Sequence, residues 1–370
     1  MDEMYMRRAI ELARQGAGWT SPNPMVGAVI VKDGRVIGEG YHRRCGELHA
    51  ERNAFASLTE SAQGATLYVT LEPCCHHGRT PPCTEAILEH GVGRVVIGSR
   101  DPNPLVAGKG ARLLREHGVV VEEDFLRAEC DAINPVFFHY ITTGRPYVVM
   151  KYAMTLDGKI ATRTGASRWI TGEIAREHVH RLRGRYSAIL AGIGTVLADD
   201  PMLNCRLAGA HQPVRIIADS RLRLPMESQL VKTAGEYRTI AVCADADSKK
   251  VERLRAAGVG VWRIPDVRGR VDLRKLMERL GSEQIDSVLI EGGGQLHEAA
   301  LRAGIVNHVC AYVAPKLFGG AEAKTPVEGM GVALPVEGVM LQNLRTTPLG
   351  EDILLEVDVK EGMNGVYWNR

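Results

Sequence analysis

Three short pieces of this 370-residue chain carry residue types that could together hydrolyse a carbon–nitrogen bond. His49-Ala50-Glu51 opens a helix-like segment, Pro73-Cys74 closes a strand-like one, and Pro82-Cys83 opens the next helix-like segment. One imidazole and two thiolates give a tetrahedral zinc three protein ligands and leave its fourth position to water. Zinc brings the pKa of that water toward neutrality and makes hydroxide available as a nucleophile. Glu51, two residues from His49, could take the water's proton and return it to a leaving amine. Ligands at helix N-termini also favour thiolate over thiol.

H-x-E with P-C-x-x-C is the signature of zinc nucleobase deaminases. Here H-x-E and P-C are present, but eight residues, CHHGRTPP, separate Cys74 from Cys83. Cys75, His76 and His77 are therefore rival ligands, and Cys83 is preferred because it opens a helix as the signature's second cysteine does. A lone H-x-E is a weak signal; with two Pro-Cys units in strand–helix order it becomes a strong one. Cys45, Cys130, Cys205, Cys243 and Cys310 read as small core residues.

The second half carries a glycine run, Glu291-Gly292-Gly293-Gly294-Gln295-Leu296, between a strand-like and a helix-like segment. Such a turn exposes backbone N–H groups at the positive end of a helix, which suits phosphate, although a plain flexible turn has the same composition. Gly192-Ile193-Gly194-Thr195 is a weaker match, because Leu197 stands where a dinucleotide fingerprint has its third glycine.

These residues need elements to hold them. Residues 3–15 have helical periodicity, 26–31 read as a strand, and Asp33-Gly34 as a tight turn. Helices are predicted at 49–58, 83–90 and 110–118, with strands at 65–73, 92–99 and 119–123. A second series has strands at 147–151, 187–191, 214–218, 239–243, 259–264, 287–290, 307–314 and 351–359. Helices fall between them at 172–184, 248–257 and 272–280. The class is α/β with parallel crossovers. The boundary at 140–146 gives domains 1–145 and 146–370.

Composition narrows the function. Hydrophobic residues are 45% and charged residues 24%, as in a packed soluble protein. No apolar run reaches the ~18 residues of a membrane span, and the N-terminus lacks a signal-peptide core, so a cytoplasmic location is expected. Net charge is −2 over residues 1–145 and +4 over the rest, which gives neither half a polyanion footprint. Eight cysteines in such a chain do not suggest a disulfide framework.

TSPNPMVGAVIV, GYHRRCGELHAE, LEPCCHHGRTPPC and DPNPLVAGKG resemble the bacterial bifunctional riboflavin-biosynthesis family, a pyrimidine deaminase fused to a reductase. The resemblance continues through KYAMTLDGKIAT, SRWITG, AGIGTVLADDPMLNCR and EGGGQLHEAAL and covers all but the last dozen residues. The long insertion before the second cysteine is that family's own. The resemblance implies a cytidine-deaminase-like three-layer domain followed by a dihydrofolate-reductase-like domain. It implies Zn2+ on His49, Cys74 and Cys83, with Glu51 as proton shuttle. Asn23, His42, Arg79, Asp101 and Asn103 fall on its deaminase substrate motifs. Ala153, Trp169, Thr195, Asp199, Ser220 and the run Gly293, Gly294, Gln295, Leu296, His297 fall on its NADPH motifs. Lys151, Ser167, Arg183, Leu203, Arg206 and Glu291 fall on its reductase substrate motifs. Arg183 and Arg206 could grip a substrate phosphate as bidentate donors, and Lys151 and Asp199 could protonate or orient the sugar.

The implied reactions are hydrolytic deamination of 2,5-diamino-6-(5-phosphoribosylamino)pyrimidin-4(3H)-one, then NADPH reduction of the ribosyl group of the uracil product to ribityl. The expected partners are small phosphorylated pyrimidines and a second copy of the chain, with no nucleic acid and no membrane. A nucleic-acid base deaminase would share the metal motif, but the charge of −2 argues against it. A purely structural zinc would want a fourth cysteine or histidine in its shell.

Overall fold

The structure, a computed structural model, describes residues 1–77, 81–103 and 106–360. The chain divides into two compact units, Met1–Gly144 and a second beginning at Arg145.

The first unit runs α1 (Asp2–Arg14), β1 (Gly27–Lys32), β2 (Arg35–Tyr41), α2 (Ala50–Ala56), β3 (Thr66–Leu71), α3 (Cys83–Glu89), β4 (Arg94–Ser99), α4 (Lys109–Glu116), β5 (Val120–Glu122), α5 (Arg127–Asp131) and α6 (Pro135–Thr143). Its sheet order is β2-β1-β3-β4-β5. β1 pairs antiparallel with β2 and β3, while β3, β4 and β5 are parallel. Asp33 and Gly34 join β1 to β2 with φ of 48° and 75°, the left-handed pair of a tight hairpin. β2 was absent from the sequence reading because Gly38 and Gly40 break its apolar alternation. The central strands are buried on both faces. Ala28, Ile30, Leu67 and Val95 meet α2, α3, α4 and Phe137 of α6 on one side. Val29, Val31, Tyr68 and Val96 meet α1 on the other. The result is three layers.

The second unit runs β6 (Tyr147–Thr155), α7 (Glu173–Arg185), β7 (Ala188–Gly192), α8 (Ile193–Asp199), β8 (Val214–Ala218), α9 (Gln229–Lys232), β9 (Thr239–Cys243), α10 (Ser248–Ala256), β10 (Gly260–Arg263), α11 (Leu273–Ser282), β11 (Ser287–Glu291), α12 (Gly294–Arg302), β12 (His308–Ala314), β13 (Leu341–Leu349) and β14 (Asp352–Val359). Its sheet order is β10-β9-β8-β7-β11-β6-β12-β14-β13. Strands β10 through β12 in that order are parallel, and β14 and β13 close the sheet antiparallel. α11 and α12 cover one face through Leu276, Leu280, Leu296 and Ala300. From β6 the chain crosses to β7 on one side, and from β11 it returns past β6 to β12 on the other. Such a reversal opens a crevice at the carboxyl ends of the strands.

Candidate active sites

In the first unit the sheet and two helix starts bring three donors together. His49 is the residue before α2, Cys74 follows β3 by way of Pro73, and Cys83 is the first residue of α3. His49 Nδ1 lies 3.5 Å from Cys74 Sγ and 3.4 Å from Cys83 Sγ. The backbone N–H of Cys83 donates to Cys74 Sγ at 3.4 Å. All three ligand atoms lie within 4.8 Å of one another. The Cys83 thiol hydrogen-bonds to Cys74 and pulls it down to about 4, and Cys83 is raised in turn, so the pair holds one proton. Binding a metal as two thiolates displaces that proton. The rival His77 is exposed, and its Nε2 faces Glu85 at 3.1 Å. Cys75 and His76 do not join the cluster. Two sulfurs and an imidazole, with no fourth protein donor among the described residues, fit an open zinc site.

Glu51 sits in the first turn of α2 and is 3% exposed. Burial, helped by the Cys74 charge, pushes its carboxyl up. It therefore keeps a proton more readily than an exposed glutamate does.

His42 Nδ1 donates to the Leu48 carbonyl at 3.0 Å, which leaves Nε2 to accept from Asn23 Nδ2 at 3.2 Å. Burial holds His42 neutral, and its ring stands edge-on to His49 with centroids 5.4 Å apart. Asp101 follows β4 and is buried; burial, with the nearby Glu72 and Cys74 charges, raises it to about 6. It accepts from Asn103 N at 2.8 Å. Arg79 lies outside the described residues.

Two supports escaped the sequence reading. Glu72 accepts from Gly108, Gly110 and Ala111 N–H groups at 2.9, 3.1 and 3.2 Å, which ties the start of α4 to the strand end that carries Cys74. A Cβ on Gly110 would lie 2.1 Å from the Pro73 carbonyl, so only glycine fits there. Arg52 donates to the Pro81 and Pro82 carbonyls at 3.1 and 2.8 Å and fixes the approach to Cys83. The available signal was an acid at the end of an apolar strand; Arg52 gave none.

In the second unit one open cleft of about 1780 Å³ lies at the carboxyl ends of the parallel strands. Ala153, Trp169, Thr195, Asp199, Ser220, Gly293, Gly294, Gln295, Leu296 and His297 line it, as do Lys151, Ser167, Arg183, Leu203, Arg206 and Glu291. Gly292 and Gly293 both have φ of +91°, and a Cβ on Gly292 would come 2.8 Å from Thr195 Oγ1. That bare turn opens the nine-residue α12 and leaves room for a pyrophosphate against backbone N–H groups. His297 Nδ1 donates to the Pro326 carbonyl at 2.8 Å.

Arg183 is paired within the cleft. Its Nε and Nη2 both donate to Glu291 at 2.7 Å, and Nη1 donates to the Asn204 carbonyl at 3.1 Å. That fork is engaged with a carboxylate, and two of the five guanidinium N–H groups are left over. Burial alone would raise Glu291, but the Arg183 charge and hydrogen bonds outweigh it and hold the carboxyl at about 2. Arg206 is exposed in the same cleft and keeps its guanidinium free among the described residues. Lys151 lies opposite Glu291 in the β6–β11 register, and burial lowers its pKa. Ser167 Oγ donates to Asp199 at 3.4 Å. A separate set, His308, Cys310 and Glu356, meets on β12 and β14, where His308 Nδ1 pairs with Asp358 at 2.7 Å.

Comparison with known proteins covers both units. Residues 146–355 match the RibD C-terminal domain, and residues 1–99 match the cytidine and deoxycytidylate deaminase zinc-binding region. The riboflavin biosynthesis protein RibD of Actinobacillus pleuropneumoniae is 58% identical over 95% of this chain and 94% of its own length. That of Bacillus amyloliquefaciens is 43% identical over the full length of both. Two solved structures share the fold over 97% of this chain and 99% of theirs. RibD of Acinetobacter baumannii (form 1) has a TM-score of 0.87 at 38% identity. The diaminohydroxyphosphoribosylaminopyrimidine deaminase/5-amino-6-(5-phosphoribosylamino)uracil reductase of Thermotoga maritima has 0.84 at 39%.

Proposed function

The chain belongs to the RibD family of bifunctional riboflavin-biosynthesis enzymes, and we propose how its own residues divide the work. It joins a zinc-dependent pyrimidine deaminase to an NADPH-dependent reductase. The first activity replaces the 2-amino group of 2,5-diamino-6-(5-phosphoribosylamino)pyrimidin-4(3H)-one by an oxo group. The second reduces the ribosyl group of the resulting uracil to ribityl.

We assign deamination to residues 1–145 and reduction to 146–370, a division supported by the contact boundary after Gly144. His49, Cys74 and Cys83 hold the zinc, which when bound acidifies a water for attack on the ring carbon. Glu51 takes the proton that the water gives up, holds it on its buried carboxyl and passes it to the departing amine nitrogen. Asn23 and His42 form one hydrogen-bonded wall, and Asp101 with Asn103 another. Arg79, which falls on the family's substrate motif, is assigned to the substrate as well.

In the second unit the glycine turn with Thr195 seats the cofactor, with Ala153, Trp169, Ser220, Gln295, Leu296 and His297 around it. NADPH supplies the hydride to the sugar C1′. Lys151, with its lowered pKa, holds and delivers the accompanying proton, and Asp199, joined to Ser167, orients the sugar. Ser167 and Leu203 border the sugar, Arg183 keeps Glu291 ionised toward it, and Arg206 takes the phosphate. The substrates are free phosphorylated pyrimidines rather than nucleic acid or a membrane surface, and two copies of the chain pair. The eight free thiols support a reducing, cytoplasmic setting, which cell fractionation checks.

The convergence of His49, Cys74 and Cys83 beside a buried Glu51 carries this reading. Glu51→Gln tests it. Deamination falls by at least about 10²-fold, while bound zinc and reduction of the deaminated substrate stay at the parent level. Deamination that survives in this variant removes Glu51 from the reaction.

A further inference from the structure

Outside both candidate active sites, one face of the second sheet carries a mixed cluster of donors. His308 and Cys310 are two residues apart on β12 and so point to the same face. β14 pairs antiparallel with β12 and sets Asp358 opposite His308 and Glu356 opposite Cys310. One ligand atom from each of His308, Cys310 and Glu356 lies within 4.8 Å of the other two. His308 and Cys310 are buried, while the Glu356 side chain is 28% exposed and leaves a way in from solvent.

The imidazole is already aimed. Its Nδ1 lies 2.7 Å from Asp358 Oδ1, and Asn343 Nδ2 donates to Asp358 Oδ2 at 3.1 Å. Nε2 lies 3.8 Å from Glu356 Oε1. A carboxylate on one ring nitrogen is the arrangement that orients a histidine to ligate a metal through the other. An ion pair between an imidazolium and carboxylates would account for His308, Glu356 and Asp358, but it has no use for the buried Cys310 sulfur beside them.

Nitrogen, sulfur and carboxylate oxygen together suit Zn2+ and its neighbours among the divalent first-row metals, whereas Mg2+ and Ca2+ take oxygen ligands. The charges also fit. A divalent ion with the Cys310 thiolate and the Glu356 and Asp358 carboxylates leaves one net negative charge, and Arg345 of β13 stands opposite Glu356 in the register. Lys151 of β6, opposite Cys310, holds its Nζ 5.4 Å from the Tyr312 ring centroid. We infer that His308, Cys310 and Glu356 form a second site for a divalent transition-metal ion of zinc's class, oriented by Asp358 and clamping β12 to β14, independent of the His49, Cys74 and Cys83 site. Three protein donors leave the fourth position to water. Binding displaces the protons held on the thiol and the imidazole.

Elemental mass spectrometry of the full chain, after equilibration with Zn2+ and removal of free ion, tests it. The parent is expected to hold two zinc ions per chain. C310S and H308A each lose one of them, and H49A loses the other. Co2+ gives a readout tied to sulfur. In C74S/C83S, which lacks the thiolates of the first site, added Co2+ should still produce a sulfur-to-cobalt charge-transfer band, and that band should be absent in C74S/C83S/C310S. Co2+ should also raise the Tm of C74S/C83S and leave that of C74S/C83S/C310S unchanged. D358N, added to C74S/C83S, keeps all three donors but unhooks the imidazole, and should weaken Co2+ binding by about tenfold or more. One zinc per parent chain that C310S and H308A both retain overturns the site and leaves His308 in an ion pair. Two zinc ions that persist in C310S and H308A also overturn it, by placing the second ion elsewhere. A C74S/C83S protein with no cobalt–sulfur band overturns it as well.

Discussion

Asp101 is a carboxylate kept where its charge is disfavoured, and it sets a pH dependence for deamination. Burial and the Glu72 and Cys74 charges raise it to about 6, above its ordinary value of 3.8. A raised acid contributes stability that is complete below its unfolded pKa and lost as pH rises through about 6. In the substrate-binding role proposed for Asp101, it is the ionised form above that pH that would accept hydrogen bonds from an amino-pyrimidine. The deaminase kcat/KM should therefore rise through an apparent pKa near 6, and the inflection should vanish in Asp101→Asn. A pH profile from 5 to 8 that is the same in both proteins would remove Asp101 from substrate binding. The metal-site residues could be read from the sequence because their chemistry is rare and their spacing tells. Arg183 and Glu291 could be named but not paired, since 108 residues separate them and only the packing of α7 against the sheet joins them.

At the level of elements, β13 is a nine-residue edge strand exposed along nearly all its length. Leu341 and Leu344 on it are 49% and 64% exposed. A long exposed edge carrying two leucines invites a second strand, and natural proteins cover such edges. Light scattering on the purified chain should give about twice its 40.4 kDa, and Leu344→Lys should shift that mass toward one copy. A single-copy mass in the parent protein would reject the pairing. β13 was also invisible in the sequence: LQNLRTTPL has no clean alternation, and Pro348 argues against a strand. The buried parallel strands were legible because they are continuous Val/Ile/Leu runs. α5 and α6, of five and nine residues before the boundary at Gly144, were not predicted.

In the whole molecule, two units each carry one constellation of the residues named from the sequence, and each constellation sits where its own sheet ends. In the first, the ends of β3 and β4 and the starts of α2 and α3 gather the metal donors and the substrate walls. In the second, the strand reversal around β6 opens the cleft that gathers every reductase position named from the sequence. Segment order was enough to anticipate an α/β chain in two parts. The strand order β7-β11-β6-β12, which makes the cleft, depends on non-local pairing that periodicity does not encode. One chain performing two successive reactions on one pyrimidine is tested by mass spectrometry of products after incubation with the diamino-pyrimidine ribosylamine phosphate, with and without NADPH. Exchange of one amino group for an oxo group is expected without NADPH, followed by a gain of two hydrogens only when NADPH is present. A gain of two hydrogens with no amino exchange, or exchange that itself requires NADPH, would contradict it.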